Sequence, residues 1–194
     1  MAVPEPDAEA DLGLMQRLQA GEDLALNELM GRWEKPLIAF IFRFIGNQEE
    51  AVDIAQETFV RVYTHKRSFD GRGKFSSWLF SIASNLCRNH LRWKSRHPTV
   101  ILDAPDDEDG HTRNDLADKG SEPWENVHNN EMARLVKSAV SSLPDKLKAA
   151  VILCVYEELP YLEIARALNC TVKAVENRMR HARELLAEAL KSVR

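Results

Sequence analysis

The stretch that decides the fold runs from Lys74 to Lys94 and reads KFSSWLFSIASNLCRNHLRWK. Its apolar residues recur every three or four positions, which predicts an amphipathic helix. The apolar face consists of Phe75, Leu79, Ile82 and Leu86. A second face is polar and basic and consists of Asn85, Arg88, Asn89, Arg92 and Arg96. We therefore expect one side of this helix to pack into a core and the other to face a polyanion.

The segments before this helix are also predicted to be helical. Apolar spacing from Leu14 to Met30 indicates helical structure, and the next predicted helices run from about Glu34 to Phe44 and from about Glu49 to Lys66. Pro36 falls near the start of the first of these two. A loop from Ser68 to Gly73 precedes the deciding helix, with Asp70-Gly71 as a turn signal.

The C-terminal part contains a predicted helix-turn-helix from Tyr161 to Arg183. Asn169 can adopt a left-handed conformation at the turn, and Thr171 is a suitable N-cap for a final helix to about Leu190. The two helices are expected to meet at Ile164, Ala165, Leu168, Val172, Val175 and Met179. The side chains expected to read base edges or hold phosphates are Lys173, Asn177, Arg178, Arg180, His181 and Arg183. An ordinary helical hairpin with solvated charges has the same spacing, but DNA binding is the favoured interpretation.

Further helices are predicted in the same part, near 130–142, from Pro144 as a first helical position, and from Pro160 to Leu168. The chain is thus expected to be all-α. Its two helical domains are predicted to cover residues 1–97 and 128–194. Residues 98–127 hold nine acids and two bases and lack apolar periodicity, so they are predicted to form a flexible acidic linker.

Positive charge is concentrated in one part of the chain. The whole protein has a formal net charge of −4, yet the stretch from Arg61 to Arg96 holds nine basic residues and a single acid, Asp70. Six aromatic residues are interspersed there, which are Tyr63, Phe69, Phe75, Trp78, Phe80 and Trp93. Cations attract phosphates and aromatic faces stack on unpaired bases, so the stretch is typical of a single-strand binding surface. Trp78 and Phe80 are equally consistent with core packing.

Composition argues against several other classes of protein. The three cysteines are widely spaced and form no Cys-x-x-Cys pair, which disfavours a disulfide framework or a zinc site. No apolar run is long enough to span a bilayer and the N-terminus lacks a signal-peptide pattern, so we expect a cytoplasmic protein with no membrane insertion. The six histidines are scattered. We therefore predict no catalytic residue, no metal and no cofactor.

Two parts of the chain resemble regions of bacterial sigma-70-family factors. The segments from Asp53 to Tyr63 and from Phe75 to Leu91 are similar to region two. Leu143-Pro144 and the segment from Tyr161 to Arg183 are similar to region four. A chain of this length with those two regions resembles the extracytoplasmic-function (ECF) group. The resemblance covers nearly everything except the N-terminal tail and the linker.

The resemblance implies a transcription initiation factor that directs core RNA polymerase to promoters. The residues that match the helix bound by the β′ clamp helices are Asp53, Gln56, Glu57 and Arg61. The residues assigned to the minus-ten element and the melted strand are Phe69, Arg72, Lys74, Trp78, Asn85, Arg88, Asn89, Arg92 and Arg96. Within the loop from Phe69 to Lys74, the resemblance implies capture of a flipped-out base. The predicted helix-turn-helix would contact the minus-thirty-five element.

The implied partners are the core polymerase, through its β′ clamp helices and β flap, promoter DNA in duplex and single-stranded form, and an anti-sigma protein. Two alternative functions account for less of the sequence. A helix-turn-helix regulator that acts without polymerase leaves the region-two-like segments unexplained. A metal-dependent nuclease using the linker acids lacks a histidine or cysteine cluster and a rigid site.

Overall fold

The computed structural model describes residues 8–97 and 133–191, and within these ranges the regular structure is helical. The first range contains α1 (Ala8–Gln19), α2 (Leu24–Ile45), α3 (Gln48–Thr64), a 3₁₀ turn (Lys66–Ser68) and α4 (Phe75–Arg96). The second contains α5 (residues 133–141), α6 (Asp145–Val155), α7 (Tyr161–Ala167) and α8 (Val172–Lys191). The all-α prediction is confirmed. The predicted linker, residues 98–127, lies outside the described residues.

Helix α2 is longer than predicted, and the expectation that Pro36 lies near a helix start is wrong. The helix runs continuously from Leu24 to Ile45 with Pro36 inside it. A proline in this position removes one backbone hydrogen bond. Trp33 and Leu37, which flank it, are both buried in the same core, so packing on either side holds the helix through the proline.

The ends of α2 and α3 follow local capping rules. Gly46 closes α2 with φ of 83°, and its N–H donates to the Phe42 carbonyl. The Asn47 side chain then accepts a hydrogen bond from the Glu50 N–H at 3.0 Å and begins α3. The two long helices are therefore joined by a tight, defined turn, and they pack side by side in the N-terminal half.

Aromatic rings fill the core of the N-terminal half. The Trp33 ring meets Phe75 and Phe80 edge-on, with centroids 6.2 and 6.1 Å apart. Trp33 Nε1 also donates to Asp11 at 3.0 Å, and Asp11 pairs with Arg32, which ties α1 to α2. Phe80 is 1% exposed and is thus a core residue, which settles the choice left open by the sequence.

The buried face of α4 differs from the predicted one. Phe75 and Leu79 are buried as expected, but Ile82 and Leu86 are half-buried. The core contacts are made instead by a wider set, which includes Phe80, Ala83, Ser84 and Cys87. The reason is that α4 packs against α2 and α3 and also against α7 of the C-terminal half. A helix that packs against neighbours on more than one side buries more residues than one amphipathic face contains.

The C-terminal half contains the predicted helix-turn-helix. Asn169 has φ of 47°, the left-handed conformation expected at the turn. Thr171 Oγ1 accepts from the Ala174 N–H at 3.1 Å, which is the expected N-cap contact. Ile164, Val175 and Met179 are buried where α7 and α8 meet. Pro144, predicted as a first helical position, lies instead one residue before α6 in an extended conformation.

The two halves pack against each other through α2 and α4 on one side and α6 and α7 on the other. Ser77 Oγ donates to Glu163 Oε2 at 2.6 Å, and both groups are buried. Arg43 Nη1 lies 3.2 Å from Glu157 Oε1, and the Arg43 guanidinium lies 4.5 Å from the centroid of the Tyr156 ring. No helix in the two described ranges is long and apolar enough to cross a membrane.

The contact between the halves contains a carboxyl group with an altered pKa. Burial raises the pKa of Glu157 from 4.5 to about 7, although the neighbouring Arg43 acts in the opposite direction. Because the pKa in the folded protein is higher than in the unfolded chain, folding favours the neutral carboxyl. The associated stability is complete below about pH 4.5 and is lost as the pH rises through about 7.

We expect the Glu157→Gln variant to be less sensitive to pH than the wild-type protein. Between about pH 4.5 and 7, the wild-type Tm should fall relative to the variant, since glutamine carries no charge to bury. At about 1.4 kcal/mol per pKa unit, the difference in unfolding free energy approaches about 3 kcal/mol. Thermal melts followed by circular dichroism measure it. Glu158→Gln, at an exposed neighbour, is the control. Parallel pH profiles for wild type and Glu157→Gln would contradict this assignment.

Candidate nucleic-acid and polymerase interfaces

Helix α4 presents a continuous polar surface to solvent, which we call the strand face. Because successive helical residues are about 100° apart, residues three, four and seven positions apart lie together. The strand face consists of Trp78, Ser81, Asn85, Asn89, Arg92 and Arg96. Both asparagines and both arginines are exposed, and Trp78 is half-buried at one end. The predicted face is therefore accessible over the whole C-terminal part of the helix.

Arg88 orients one of the strand-face amides. Its Nη2 donates to Asn85 Oδ1, and its Nε donates to the Ser84 carbonyl at 3.1 Å. With its oxygen engaged, the Asn85 amide directs its N–H groups outward as donors. Arg88 was predicted to hold a phosphate, but the structure gives it this second, intrahelical contact. Arg88 therefore positions the Asn85 amide and also adds positive charge beside the strand face.

A cavity of about 240 Å³, which we call the strand pocket, opens beside the strand face. Its wall includes Phe69 and Trp78, whose ring centroids are 5.4 Å apart, and its rim carries Arg72 and Lys74. Phe69 is only 7% exposed, so it forms the apolar wall and does not project into solvent as a loop residue would. The combination of an aromatic wall and a cationic rim suits an unstacked base and its phosphate.

The loop that forms the strand pocket is held in a defined shape. Asp70 Oδ1 accepts from the Arg72 N–H at 3.0 Å, and Gly71 takes φ of 72°. Gln19 of α1 donates from Nε2 to the carbonyls of Lys66 and Phe69, at 2.7 and 2.8 Å. The sequence does not reveal the role of Gln19, since it lies about 50 residues away from its partners and belongs to no motif.

The exposed side of α3 is suited to protein docking. Asp53, Gln56 and Glu57 are exposed there, and Arg61 Nε pairs with Glu57 Oε1 at 2.9 Å. The same side also exposes Val60, which is 55% exposed and lies one helical turn beyond Gln56 and Glu57. We call this set the docking face. Val60 was not selected from the sequence, although its spacing from Gln56 could have identified it.

Tyr63 adds an aromatic ring near the C-terminal end of the docking face. It is 38% exposed, and the Lys66 ammonium lies 4.2 Å from its ring centroid. An apolar centre within a rim of charged side chains is the usual composition of a protein interface.

Helix α8, the second helix of the helix-turn-helix, exposes most of the side chains predicted to contact DNA. Lys173, Asn177, Arg180 and His181 are exposed and fall on one side of the helix. Lys173 Nζ pairs with Glu176 at 2.8 Å. The other two predicted residues lie on the flanks of this side. Arg178 is half-buried, and Arg183 Nη2 lies 3.4 Å from the Tyr161 hydroxyl.

The described residues offer little support for metal or thiol chemistry. Within residues 8–97 and 133–191, no group of three His, Cys, Asp or Glu side chains could hold a metal ion. Burial raises the pKa of Cys87 to about 12, so its thiol stays protonated at neutral pH. The candidate site therefore consists of cationic side chains, side-chain amides and aromatic rings. These are the groups that bind the phosphates and bases of nucleic acids.

A helical half with an aromatic, basic pocket, followed by a helix-turn-helix half, is typical of a two-part DNA-binding protein. Comparison with known proteins identifies its family. The profile for Sigma-70 region 2 matches residues 29–97, and the profile for Sigma-70, region 4 matches residues 133–186. The chain is 32% identical to the RNA polymerase sigma-H factor of Pseudomonas aeruginosa over 186 residues, 94% of each protein. The chain belongs to the ECF group of the sigma-70 family.

One further relative and two solved structures are also similar to this chain. The ECF RNA polymerase sigma factor SigW of Bacillus subtilis is 32% identical over 181 residues, covering 92% of this chain and 96% of SigW. The fold resembles CnrH in its complex with the cytosolic domain of CnrY, with a TM-score of 0.68 at 24% identity, over 94% of this chain and 98% of CnrH. It also resembles RpoE of Bartonella quintana in complex with the anti-sigma factor NepR, with a TM-score of 0.64 at 22% identity, over 87% and 98% of the two chains.

Proposed function

We propose that this sigma factor recognises promoters with two separate surfaces and stabilises the melted strand between them. In this proposal residues 1–97 bind core polymerase and the minus-ten element, residues 98–127 connect the halves, and residues 128–194 bind the minus-thirty-five element. The observation that carries the proposal is that the strand pocket, lined by Ser81, lies on the same side of α4 as the exposed amides of Asn85 and Asn89, which follow about one and two turns further along. Amide side chains read base edges, and an adjacent aromatic pocket receives a base that has left the stack.

Polymerase binding is assigned to the docking face on α3. Asp53, Gln56, Glu57 and Arg61 supply charged and polar contacts to the β′ clamp helices, and Val60 supplies the apolar centre. The C-terminal half contacts the β flap, which places α8 over duplex DNA upstream. This division puts the contacts to protein and to the melted strand on neighbouring helices of one half.

Strand binding provides the free energy for promoter opening. Stacking of one base on an aromatic side chain contributes about 1–3 kcal/mol. Trp78 lines the pocket, and Trp93, which is 57% exposed and stacks on His97 with centroids 5.0 Å apart, lies at the other end of the helix. Arg92 and Arg96 then contact phosphates. Because these groups bind the opened strand better than the duplex, they shift the equilibrium toward open DNA without catalysis.

Polymerase is required because each DNA contact is weak by itself. Held on polymerase, the two halves bind one promoter together, and the second contact benefits from a high effective concentration. Regulation by an anti-sigma protein is the further part of the proposal. It is supported by the fold likeness to CnrH and RpoE, whose structures contain the cytosolic domain of CnrY and the anti-sigma factor NepR.

The proposal is tested by promoter capture. The full chain and core polymerase are mixed with a random-sequence duplex library, and heparin-resistant complexes are sequenced. We expect two enriched motifs at a fixed spacing, with unpaired bases in the downstream motif by permanganate footprinting. The chain without polymerase should enrich neither motif. Enrichment of one motif by the chain without polymerase would instead identify a helix-turn-helix regulator.

A further inference from the structure

The strand pocket is partly covered by the C-terminal half of the same chain. Arg166, on α7, lines the pocket together with Lys74 and Trp78. Its side chain reaches Gly73 so closely that a Cβ on that glycine would lie 3.5 Å from Arg166 Cδ. The guanidinium is therefore at the mouth of the pocket, where a strand would have to enter.

Buried polar contacts hold α7 in this position. Arg166 Nη1 donates to Glu163 Oε1 at 2.5 Å, and the other oxygen of Glu163 accepts from Ser77 Oγ of α4 at 2.6 Å. The Glu163 side chain is 7% exposed. A buried carboxylate with both oxygens engaged fixes the geometry of its partners, so the position of Arg166 is specified by α4 itself.

A second contact links the halves at a distance from the strand pocket. Arg43 of α2 pairs with Glu157 and covers the Tyr156 ring, and the Lys148 ammonium lies 5.9 Å from the centroid of the Phe44 ring. Glu157 is buried, and Arg43 is half-buried. None of these residues belongs to the strand face, the docking face or the exposed side of α8, so this contact can be broken without altering the proposed DNA and polymerase contacts.

We propose that the contact between the halves is an autoinhibitory latch, in which α7 occupies the entrance of the strand pocket and excludes the promoter strand until the halves separate. The proposal rests on the function proposed above for the pocket. The strand and Arg166 compete for the same space, because the Arg166 side chain lines the pocket beside Gly73 and Lys74. Apparent strand affinity is then the intrinsic affinity multiplied by the fraction of molecules that are open.

The latch is tested by reversing the charge of the remote contact. Arg43→Glu places a carboxylate against Glu157, and Glu157→Arg places two guanidinium groups together. Glu157→Arg should separate the halves because two guanidinium groups in a half-buried site repel, and Arg43→Glu should do so because it removes the cation that pairs with Glu157. The double variant, with Arg43→Glu and Glu157→Arg, restores an ion pair in reversed order. Arg17→Glu, at an exposed residue paired within the N-terminal half, is the control for net charge.

Two measurements are made on the full chain. Separation of the halves is read from the distance between spin labels at Asn27→Cys and Glu188→Cys, with the native cysteines replaced by alanine. Strand affinity is read by fluorescence anisotropy with short, random-sequence single-stranded DNA. Each single variant should lengthen the distance and tighten strand binding about tenfold or more, and the double variant should reverse both effects. Circular dichroism checks that helical content is retained.

The latch is overturned if the opened variants bind the strand no more tightly than the wild-type protein, or if the wild-type halves are already apart. It is also overturned if Arg17→Glu changes the affinity as much as Arg43→Glu does. Failure of the proposed function gives a different result: no variant binds the strand, with or without core polymerase. The two failures are therefore distinguishable.

Discussion

We expect Val60→Glu to abolish polymerase binding while leaving the fold intact. Val60 is 55% exposed at the centre of the docking face, between the acids Asp53 and Glu57 and the aromatic ring of Tyr63. The centre of an interface loses water on binding, and a carboxylate there has to be desolvated without a partner. The expected loss of affinity for core polymerase is about 100-fold, with promoter-dependent transcription lost in parallel.

The matched control for this prediction is Leu24→Glu. Leu24 is 69% exposed and lies at the start of α2, outside the docking face. It therefore introduces the same charge at another exposed apolar position, and affinity for polymerase should change less than about twofold. Affinity is measured by titrating labelled core polymerase, and thermal melting checks the fold. Equal losses for both variants would show that the docking face lies elsewhere.

The second large effect is expected from Asn85→Ala, which should slow promoter opening about 100-fold and leave polymerase affinity within about twofold. The amide of Asn85 is exposed, and Arg88 holds its oxygen so that its N–H groups point outward. Alanine removes the proposed contact to a base, but it retains or improves helix propensity, so the fold should tolerate it. Opening is followed by permanganate reactivity on the captured promoters.

Asn27→Ala is the control for the loss of an exposed helical amide, because Asn27 lies on α2 away from the strand face. It should change neither opening nor polymerase binding. Arg88→Ala should give an intermediate defect in opening, since it releases the orientation of Asn85 without removing the amide. If Asn85→Ala weakened polymerase binding as much as opening, the strand face would serve the fold and not the strand.

Local rules were sufficient to predict much of the fold. The left-handed turn at Asn169 and the Thr171 cap depend on neighbouring residues, and both are present as expected. The same is true of α4 as a helix, since its polar face comes from spacing within one segment. The two sigma-family regions were identified because each extends over a long motif, and the family profiles match both.

Features that depend on distant contacts were not predictable in this way. Pro36 is tolerated inside α2 because Trp33 and Leu37 are buried against other helices. Phe80 is a core residue because α4 is packed against α2, α3 and α7 together. The position of Arg166 at the strand pocket requires the packing of two halves that are separated by the predicted linker.

The sequence predicted which side chains of the candidate site are exposed on α4. It did not predict the contacts that hold those side chains in place. The exposed amides Asn85 and Asn89 could be chosen from the sequence, since both fall on a basic helical face. Their supporting contacts could not, because Gln19 reaches the pocket loop from a different helix and Arg88 acts through its side-chain geometry. Val60 was missed although its spacing from Gln56 places both residues on the same side of α3.

The most direct test of the account is run-off transcription on the captured promoters with purified core polymerase. Adding the full chain should produce transcripts with discrete start sites at a fixed distance from the downstream motif, and Val60→Glu should produce none. Core polymerase without the chain should remain nonspecific. If the wild-type chain bound core polymerase but gave no discrete start on any captured or random template, the assignment of promoter recognition to these two halves would be contradicted.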